Sequence, residues 1–153
     1  MILVDTNILL RLAQPGDPHR QPACDAVDLL RARDGESFAI APQSLYEMYV
    51  VCSRPIDVNG LGMTYQQARA EIAKARSLFQ LLPETAQVFT TWDRLIGQYV
   101  IHGKRAHDAR LVTMMIEHNV PRILTFNDGD FRQFSEIATL NPFDVIGVPR
   151  NAR

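Results

Sequence analysis

At 153 residues, the chain is long enough for one domain with a proper core, and a chain of that size needs neither metal nor disulfide to fold. Its 46% hydrophobic and 22% charged residues exclude disorder as the starting expectation. A formal charge of −1 excludes a protein that coats nucleic acid by bulk charge, while leaving room for a local basic patch. No apolar run approaches the roughly 20 residues of a membrane helix. The opening Met1-Ile2-Leu3-Val4-Asp5 has no basic start and is not expected to be a signal peptide.

Taken in chain order, Ile2-Leu3-Val4 is a short buried-strand signal that ends in the capping residues Asp5-Thr6-Asn7, ahead of the apolar Ile8-Leu9-Leu10. Gln14-Pro15-Gly16-Asp17-Pro18 breaks the chain. Residues 19–33 suit an amphipathic helix that stops near Asp34-Gly35, and Phe38-Ala39-Ile40 is a second strand. Pro42 fits the first turn of a helix running to Ser53. Residues 54–62 form a loop, the Ala-rich stretch 65–79 a helix, and 79–82 a weak strand. A helix over 85–102 presents Val88, Trp92, Leu95, Ile96 and Tyr99 to a core. After a polar break at Gly103-Lys104-Arg105, a helix over 107–117 turns Leu111, Met114 and Met115 inward. Ile123-Leu124-Thr125 is a strand, Asn127-Asp128-Gly129-Asp130 a turn, and Ile137-Ala138-Thr139-Leu140 the last strand. Short apolar strands alternating with helices predict an α/β fold, a three-layer α/β/α sandwich around a mainly parallel sheet, as a single domain over 1–153. Cys24 and Cys52, far apart and without CxxC spacing, read as reduced cytosolic thiols, which places the protein in the cytoplasm.

In such a fold ligands sit beyond the carboxyl ends of the strands, so the positions of the acids carry information. Asp5 closes the first strand, Asp128 and Asp130 lie just past the strand ending at Thr125, Glu47 is in the helix after the second strand, and Asp108 opens the helix after Gly103. Each has an ordinary structural reading: Asp5, Asp108 and Asp128 as helix caps, Glu47 as a solvated helix residue. Against this, Asp5 follows a wholly apolar strand, where an ionised carboxylate needs a compensating partner, and Glu47 is flanked by Leu45, Tyr46, Met48 and Tyr49. Several carboxylates brought to one edge repel one another until protons, arginines or a divalent cation neutralise them. Oxygen-only ligands favour Mg²⁺ or Mn²⁺. The histidines His19, His102, His107 and His118 have no zinc-site spacing.

The ordered set of Asp5-Thr6-Asn7, Glu47, His107-Asp108-Ala109-Arg110-Leu111 and Thr125-Phe126-Asn127-Asp128-Gly129-Asp130-Phe131 resembles the PIN-domain ribonucleases, and more narrowly the VapC toxins of type II toxin–antitoxin modules. The resemblance runs from Ile2 to about Val148 and implies a metal-dependent endoribonuclease. Asp5, Glu47 and Asp108 match the dependable acids of the family. Asp130, before Phe131, matches the fourth, with Asp128 an extra acid ranked below it. Thr6, Asn7, Thr125 and Asn127 match supporting polar positions. The roles that follow are Asp5 and Asp108 as principal ligands of Mg²⁺ or Mn²⁺, Glu47 orienting or deprotonating the attacking water, and Asp130 completing the site. A catalytically silent module on the same fold is the alternative. A phosphoacceptor receiver domain or a haloacid-dehalogenase-type phosphatase fits less well, because no Lys follows Ile123-Leu124-Thr125-Phe126 and Asn7 stands where DxDxT needs its second Asp.

Arg11, Lys104, Arg105 and Arg110 are candidate phosphate contacts for RNA, each with a solvated-surface alternative, and Tyr46, Tyr49 and Trp92 are candidates for base stacking or for buried packing. Apolar residues including Met63, Tyr65, Leu78 and Phe79 predict a homodimer face. The resemblance implies a VapB-like antitoxin that presents an Arg to the acidic site.

Overall fold

The computed structural model describes residues 1–150; the expected domain span of 1–153 ends on residues 151–153, which lie outside the described ones. Strands β1 (Ile2–Val4), β2 (Phe38–Ile40), β3 (Gln80–Leu81), β4 (Arg122–Leu124) and β5 (Ala138–Leu140) form one sheet in the order β3-β2-β1-β4-β5. Every pairing is parallel, with Leu3 opposite Ala39 on one side and Ile123 on the other. The helices are α1 (Thr6–Leu12), α2 (Arg20–Asp34), α3 (Pro42–Ser53), α4 (Tyr65–Leu78), α5 (Val88–Tyr99), α6 (Arg105–Glu117), α7 (Asp128–Phe131) and α8 (Pro142–Ile146).

Strands β1 and β2 are apolar at every position because both faces of the sheet are covered. Side chains alternate between faces along a strand. Ile2, Val4, Phe38, Ile40 and Leu124 therefore join one core with α1 to α4, through Ile8, Ala23, Leu30, Met48, Cys52 and Ala75. Leu3, Ala39 and Ile123 join a second core with α5 and α6, through Leu95, Val112, Met114 and Met115, closed by Phe131 and Phe134. Two cores on opposite faces of one parallel sheet make the expected three-layer sandwich. Cys24 is half-buried and Cys52 buried, and both are free thiols.

Several boundaries differ from the expectation. Helix α5 is shorter than 85–102, because Val100 takes up a left-handed conformation at φ 49° and ends it. Helix α6 begins at Arg105, so the expected polar break contributes its first turn. The expected turn at 127–130 is mostly the short helix α7, and α8 was not anticipated. Of the residues expected on a dimer face, Phe79 is buried and Met63 half-buried, while Tyr65 and Leu78 are exposed. No helix among the described residues is long and apolar enough to cross a membrane.

The topology places the site. From β1 the chain builds β2 and β3 on one side, then β4 and β5 on the other. The order reverses between β1 and β4, and a crevice opens beyond the carboxyl ends of the strands at such a switch point. Asp5 follows β1 there and Thr125 follows β4.

Candidate active site

Asp5 sits where strand becomes helix. Its backbone N–H donates to the Leu124 carbonyl at 3.1 Å, extending the β1–β4 ladder, and its side chain caps α1 by accepting from the Thr6 N–H at 2.6 Å. The second carboxylate oxygen accepts from Asn7 Nδ2 and Thr125 Oγ1, both at 2.7 Å. All three donors are neutral, and the carboxyl is 7% exposed. Burial, which disfavours the charged form, is the largest influence on its acidity and outweighs the hydrogen bonds from Thr125 and Thr6. Together with the negative charges of Glu47 and Asp108 it pushes the pKa up to about 6 from an ordinary 3.8.

Asn7 and Thr125 tie the two strand ends together. Asn7 Nδ2 also donates to Thr125 Oγ1 at 2.9 Å, and its Oδ1 accepts from the Phe126 N–H at 3.2 Å. The Asn127 N–H donates to Thr125 Oγ1 at 3.0 Å, so Asn127 contributes through its backbone while its residue surface is exposed. Both supporting polar pairs therefore shape the crevice that Asp5 faces.

Glu47, half-buried on α3, is held at both oxygens: Thr6 Oγ1 donates to one at 2.8 Å and Gln43 Nε2 to the other at 2.8 Å. Gln43 is buried one helical turn earlier. Its amide also donates to the His107 carbonyl at 3.1 Å and accepts from Arg110 Nη1 at 3.1 Å, and Arg110 forms an ion pair with Glu84. Gln43 thus pins α3 to the first turn of α6, where Asp108 lies. Burial is again the largest influence on Asp108. With the charges of Asp130 and Glu47 it overrides Arg105 and His107 and raises the pKa to about 6. Asp5, Glu47, Asp108 and Asp130 therefore share one electrostatic neighbourhood, with Asp130 the exposed member.

Asp128 is not part of that neighbourhood. Its oxygens accept from Arg132 Nη2 at 2.7 Å, Arg150 Nη1 at 2.9 Å and Asn141 Nδ2 at 3.2 Å. Burial alone would raise its pKa, but these hydrogen bonds prevail and hold it below the ordinary carboxylate range. The two arginines and Asn141 already neutralise and saturate it.

The basic candidates divide in the same way. Arg11 is paired with Asp17 at 2.7 Å and Arg110 with Glu84. Lys104 and Arg105 are exposed at the start of α6. Among the aromatic candidates Tyr46 is 65% exposed, whereas Trp92 is half-buried and donates its indole N–H to the Ala106 carbonyl at 2.8 Å. The sequence reading missed Gln43, whose only signal is its position four residues before Glu47 on one helix face. Arg132 carries the same kind of signal, four residues after Asp128, whereas Asn141 and Arg150 offered none beyond their type.

Among the described residues no three His, Cys, Asp or Glu side chains form a ready-made metal cage. The donor set nonetheless fits a hard divalent cation. It is all oxygen, its buried member has no cationic partner, and Mg²⁺ keeps several waters and takes only one or two protein carboxylates directly.

Comparison with known proteins agrees with this geometry. The PIN domain family matches residues 2–137. The curated proteins contain no significant match. Among solved structures, the chain is similar to VapBC2 from Rickettsia felis bound to a DNA fragment from its promoter, at 18% identity, a TM-score of 0.69 and coverage of 92% of this chain and 98% of that one. It is similar to a DNA-bound VapBC from Salmonella typhimurium at 14% identity and a TM-score of 0.67, covering 93% and 99%. It is also similar to VapC20 from Mycobacterium tuberculosis, described as a sarcin–ricin loop cleaving toxin, at 18% identity and a TM-score of 0.62, covering 90% and 98%. At such identities the structural likeness speaks for the fold.

Proposed function

The chain belongs to the PIN-domain family, and from that premise we propose that it is a single-domain, metal-dependent endoribonuclease, the cytoplasmic toxin of a VapBC-type toxin–antitoxin module. The observation that carries the reading is the buried Asp5 at the switch point, raised to a pKa of about 6 and facing Glu47 and Asp108, none of them in an ion pair among the described residues. Structural carboxylates at such burial are paired, as Asp128 is; an unpaired set is what a site for a cationic ligand requires.

In this reading Asp5 and Asp108 hold Mg²⁺ or Mn²⁺, with Asp130 completing the site from its exposed position. When bound, the cation lowers the pKa of water and stabilises charge on the phosphoryl oxygens. Thr6 and Gln43 fix the Glu47 carboxylate so that it orients the attacking water and takes its proton. Asn7 and Thr125 keep Asp5 at the mouth of the crevice. Lys104 and Arg105, free of ion pairs among the described residues, take the RNA phosphates that flank the scissile bond.

The partner reading has its own support. Between α3 and α4 lies a groove of about 550 Å³ lined by Leu45, Tyr46, Val50 and Ile72, with Arg69 and Arg76 on its wall. An amphipathic antitoxin segment with acidic flanks suits it. Exposed Ile56, Val58 and Tyr65 support a symmetric dimer. Light scattering at micromolar concentration should return twice the chain mass, and a strict monomer removes the dimer. Cleavage of single-stranded RNA should require Mg²⁺ or Mn²⁺ and stop in EDTA. Undiminished cleavage in EDTA removes the mechanism, and no cleavage with either ion favours a silent module.

A further inference from the structure

We propose that the cleft between the start of α5 and the first half of α6 is a nucleobase subsite that takes one unstacked RNA base with its N–H-bearing edge toward Glu84. The inference rests on the ribonuclease reading and adds where a base beside the scissile phosphate is held.

The cleft encloses about 370 Å³ and is lined by Glu84, Thr85, Val88, Phe89, Trp92 and Arg110, a size within the span of small-ligand sites. Phe89 is 70% exposed. Its ring lies 5.8 Å from that of Trp92 and tilted by 35°, so the two aromatics face the same opening. Trp92 cannot swing, because its indole N–H is held by the Ala106 carbonyl two residues before Asp108. Arg110, two residues after Asp108, is held by Glu84 and by Gln43. Gln43 donates in turn to Glu47. Cleft and acidic site are therefore two hydrogen bonds apart, and a chain laid across Asp108 passes the opening.

The chemistry favours a base over a protein side chain. An aromatic face next to a guanidinium is what an unstacked base stacks on, and every base has such a face. Lys104 caps α6 and Arg105 opens it, on the helix that carries Arg110 into the cleft; both are exposed and have no ion pair among the described residues, so they offer charge to the phosphates beside the base. Selectivity comes from Glu84, whose carboxylate only accepts hydrogen bonds. Guanine offers it N1–H and an amino group side by side. Uracil offers one N–H between two carbonyls, which the carboxylate repels.

Trp92 is the chain's one tryptophan, so its fluorescence reports on this cleft directly. The whole protein is titrated in EDTA with GMP and, separately, UMP. Saturable quenching by GMP at lower concentration than by UMP is expected. Phe89→Ala and Phe89→Leu should each raise the apparent GMP dissociation constant about tenfold, the loss of one stacking partner, with Tm unchanged because Phe89 packs outside the core. Glu84→Gln should erase the GMP preference. Absence of quenching at millimolar nucleotide, or quenching that both Phe89 variants leave unaltered, overturns the subsite. So does fluorescence that changes with protein concentration alone, which would mean that a second copy covers the cleft. The titration in EDTA does not depend on cleavage, so a protein that quenches there but fails to cleave RNA when Mg²⁺ or Mn²⁺ is supplied refutes the ribonuclease reading and keeps the subsite. One that cleaves but does not quench refutes the subsite alone.

Discussion

Asp5 and Asp128 stand past the carboxyl ends of adjacent strands, and each is 7% exposed. Yet Asp5 is raised to a pKa of about 6 while Asp128 is held below its ordinary value. The difference lies in depth and in the donors: burial weighs far more on Asp5, which sits deeper among protein atoms. Asp5 receives hydrogen bonds only from neutral groups and faces two further acids, whereas Asp128 is met by two guanidinium groups. Equal surface exposure thus goes with opposite results, because Asp5 lies deeper among protein atoms and also lacks the counter-charge that Asp128 has. The Asp128 arrangement is complete, joining α7 to the Asn141 cap of α8 and to Arg150. In the proposed function a cation completes the Asp5 arrangement.

The largest effect that would break this contrast is on cleavage. Asp5→Asn should lose about a hundredfold or more of the activity while melting at the parent's temperature or above, because it removes a buried charge and its repulsion from Glu47 and Asp108. Asp128→Asn should do the reverse. It should lose about 1–2 kcal/mol of stability, allowing for the exposure of its arginines, and retain most of its activity. RNA cleavage rates and thermal melts of the two variants side by side are the check.

Stability against pH sharpens the same point. Asp5 and Asp108 bind protons more tightly when folded than when unfolded, since their pKa values rise from 3.8 to about 6. Their destabilising effect is therefore fully present above about pH 6 and is relieved as pH falls toward 4. Metal-free protein should melt higher at pH 5 than at pH 7.5, and Asp5→Asn should flatten that slope. Asp128 and Glu36, both lowered, add stability that is present above the ordinary carboxylate pKa and lost as pH falls below it. The melting temperature should then drop again in stronger acid.

A smaller effect is expected at the Glu47 support. Arg110→Ala frees the Gln43 amide oxygen and should lower kcat about tenfold, as loss of an orienting partner does, and should raise KM as well, because Arg110 also lines the base cleft. An unchanged kcat would show that Glu47 needs no such support. Arg150→Ala should lower the melting temperature slightly and leave cleavage nearly intact, since its partners Asp128 and Asp144 lie outside the unbalanced set of acids.

Much of this was legible in the residues, for identifiable reasons. Ile2-Leu3-Val4 and Phe38-Ala39-Ile40 are strands in the structure as expected, because strands buried on both faces read as apolar runs. Pro42 marked the first turn of α3, and Gly35 ends α2 in the left-handed conformation that favours glycine. Helix α8 was missed although Asn141-Pro142 is a cap followed by a favoured first position, since five residues are too few to show a helical period. The predicted strands and helices placed Asp5, Glu47 and Asp108 toward one sheet edge, and the family resemblance singled them out from ordinary helix caps. What separates Asp128 from them is a pair of arginines, Arg132 four residues on and Arg150 22 residues on, and no periodicity encodes a partner at the second distance. The Glu84–Arg110–Gln43 chain was hidden for the same reason, because its members come from three segments that meet only in the folded sheet.

The central claim is that the unbalanced acids around Asp5, and not the balanced Asp128, hold a divalent cation. Calorimetric titration of metal-free protein with Mn²⁺ at pH 6, repeated in buffers of different ionisation enthalpy, tests it most directly. Near their pKa Asp5 and Asp108 are partly protonated, so Mn²⁺ binding must expel protons. About one Mn²⁺ per chain should bind with net proton release in the parent and in Asp128→Asn, and Asp5→Asn should show neither. Binding without proton release, or binding that survives in Asp5→Asn and disappears in Asp128→Asn, would contradict the account.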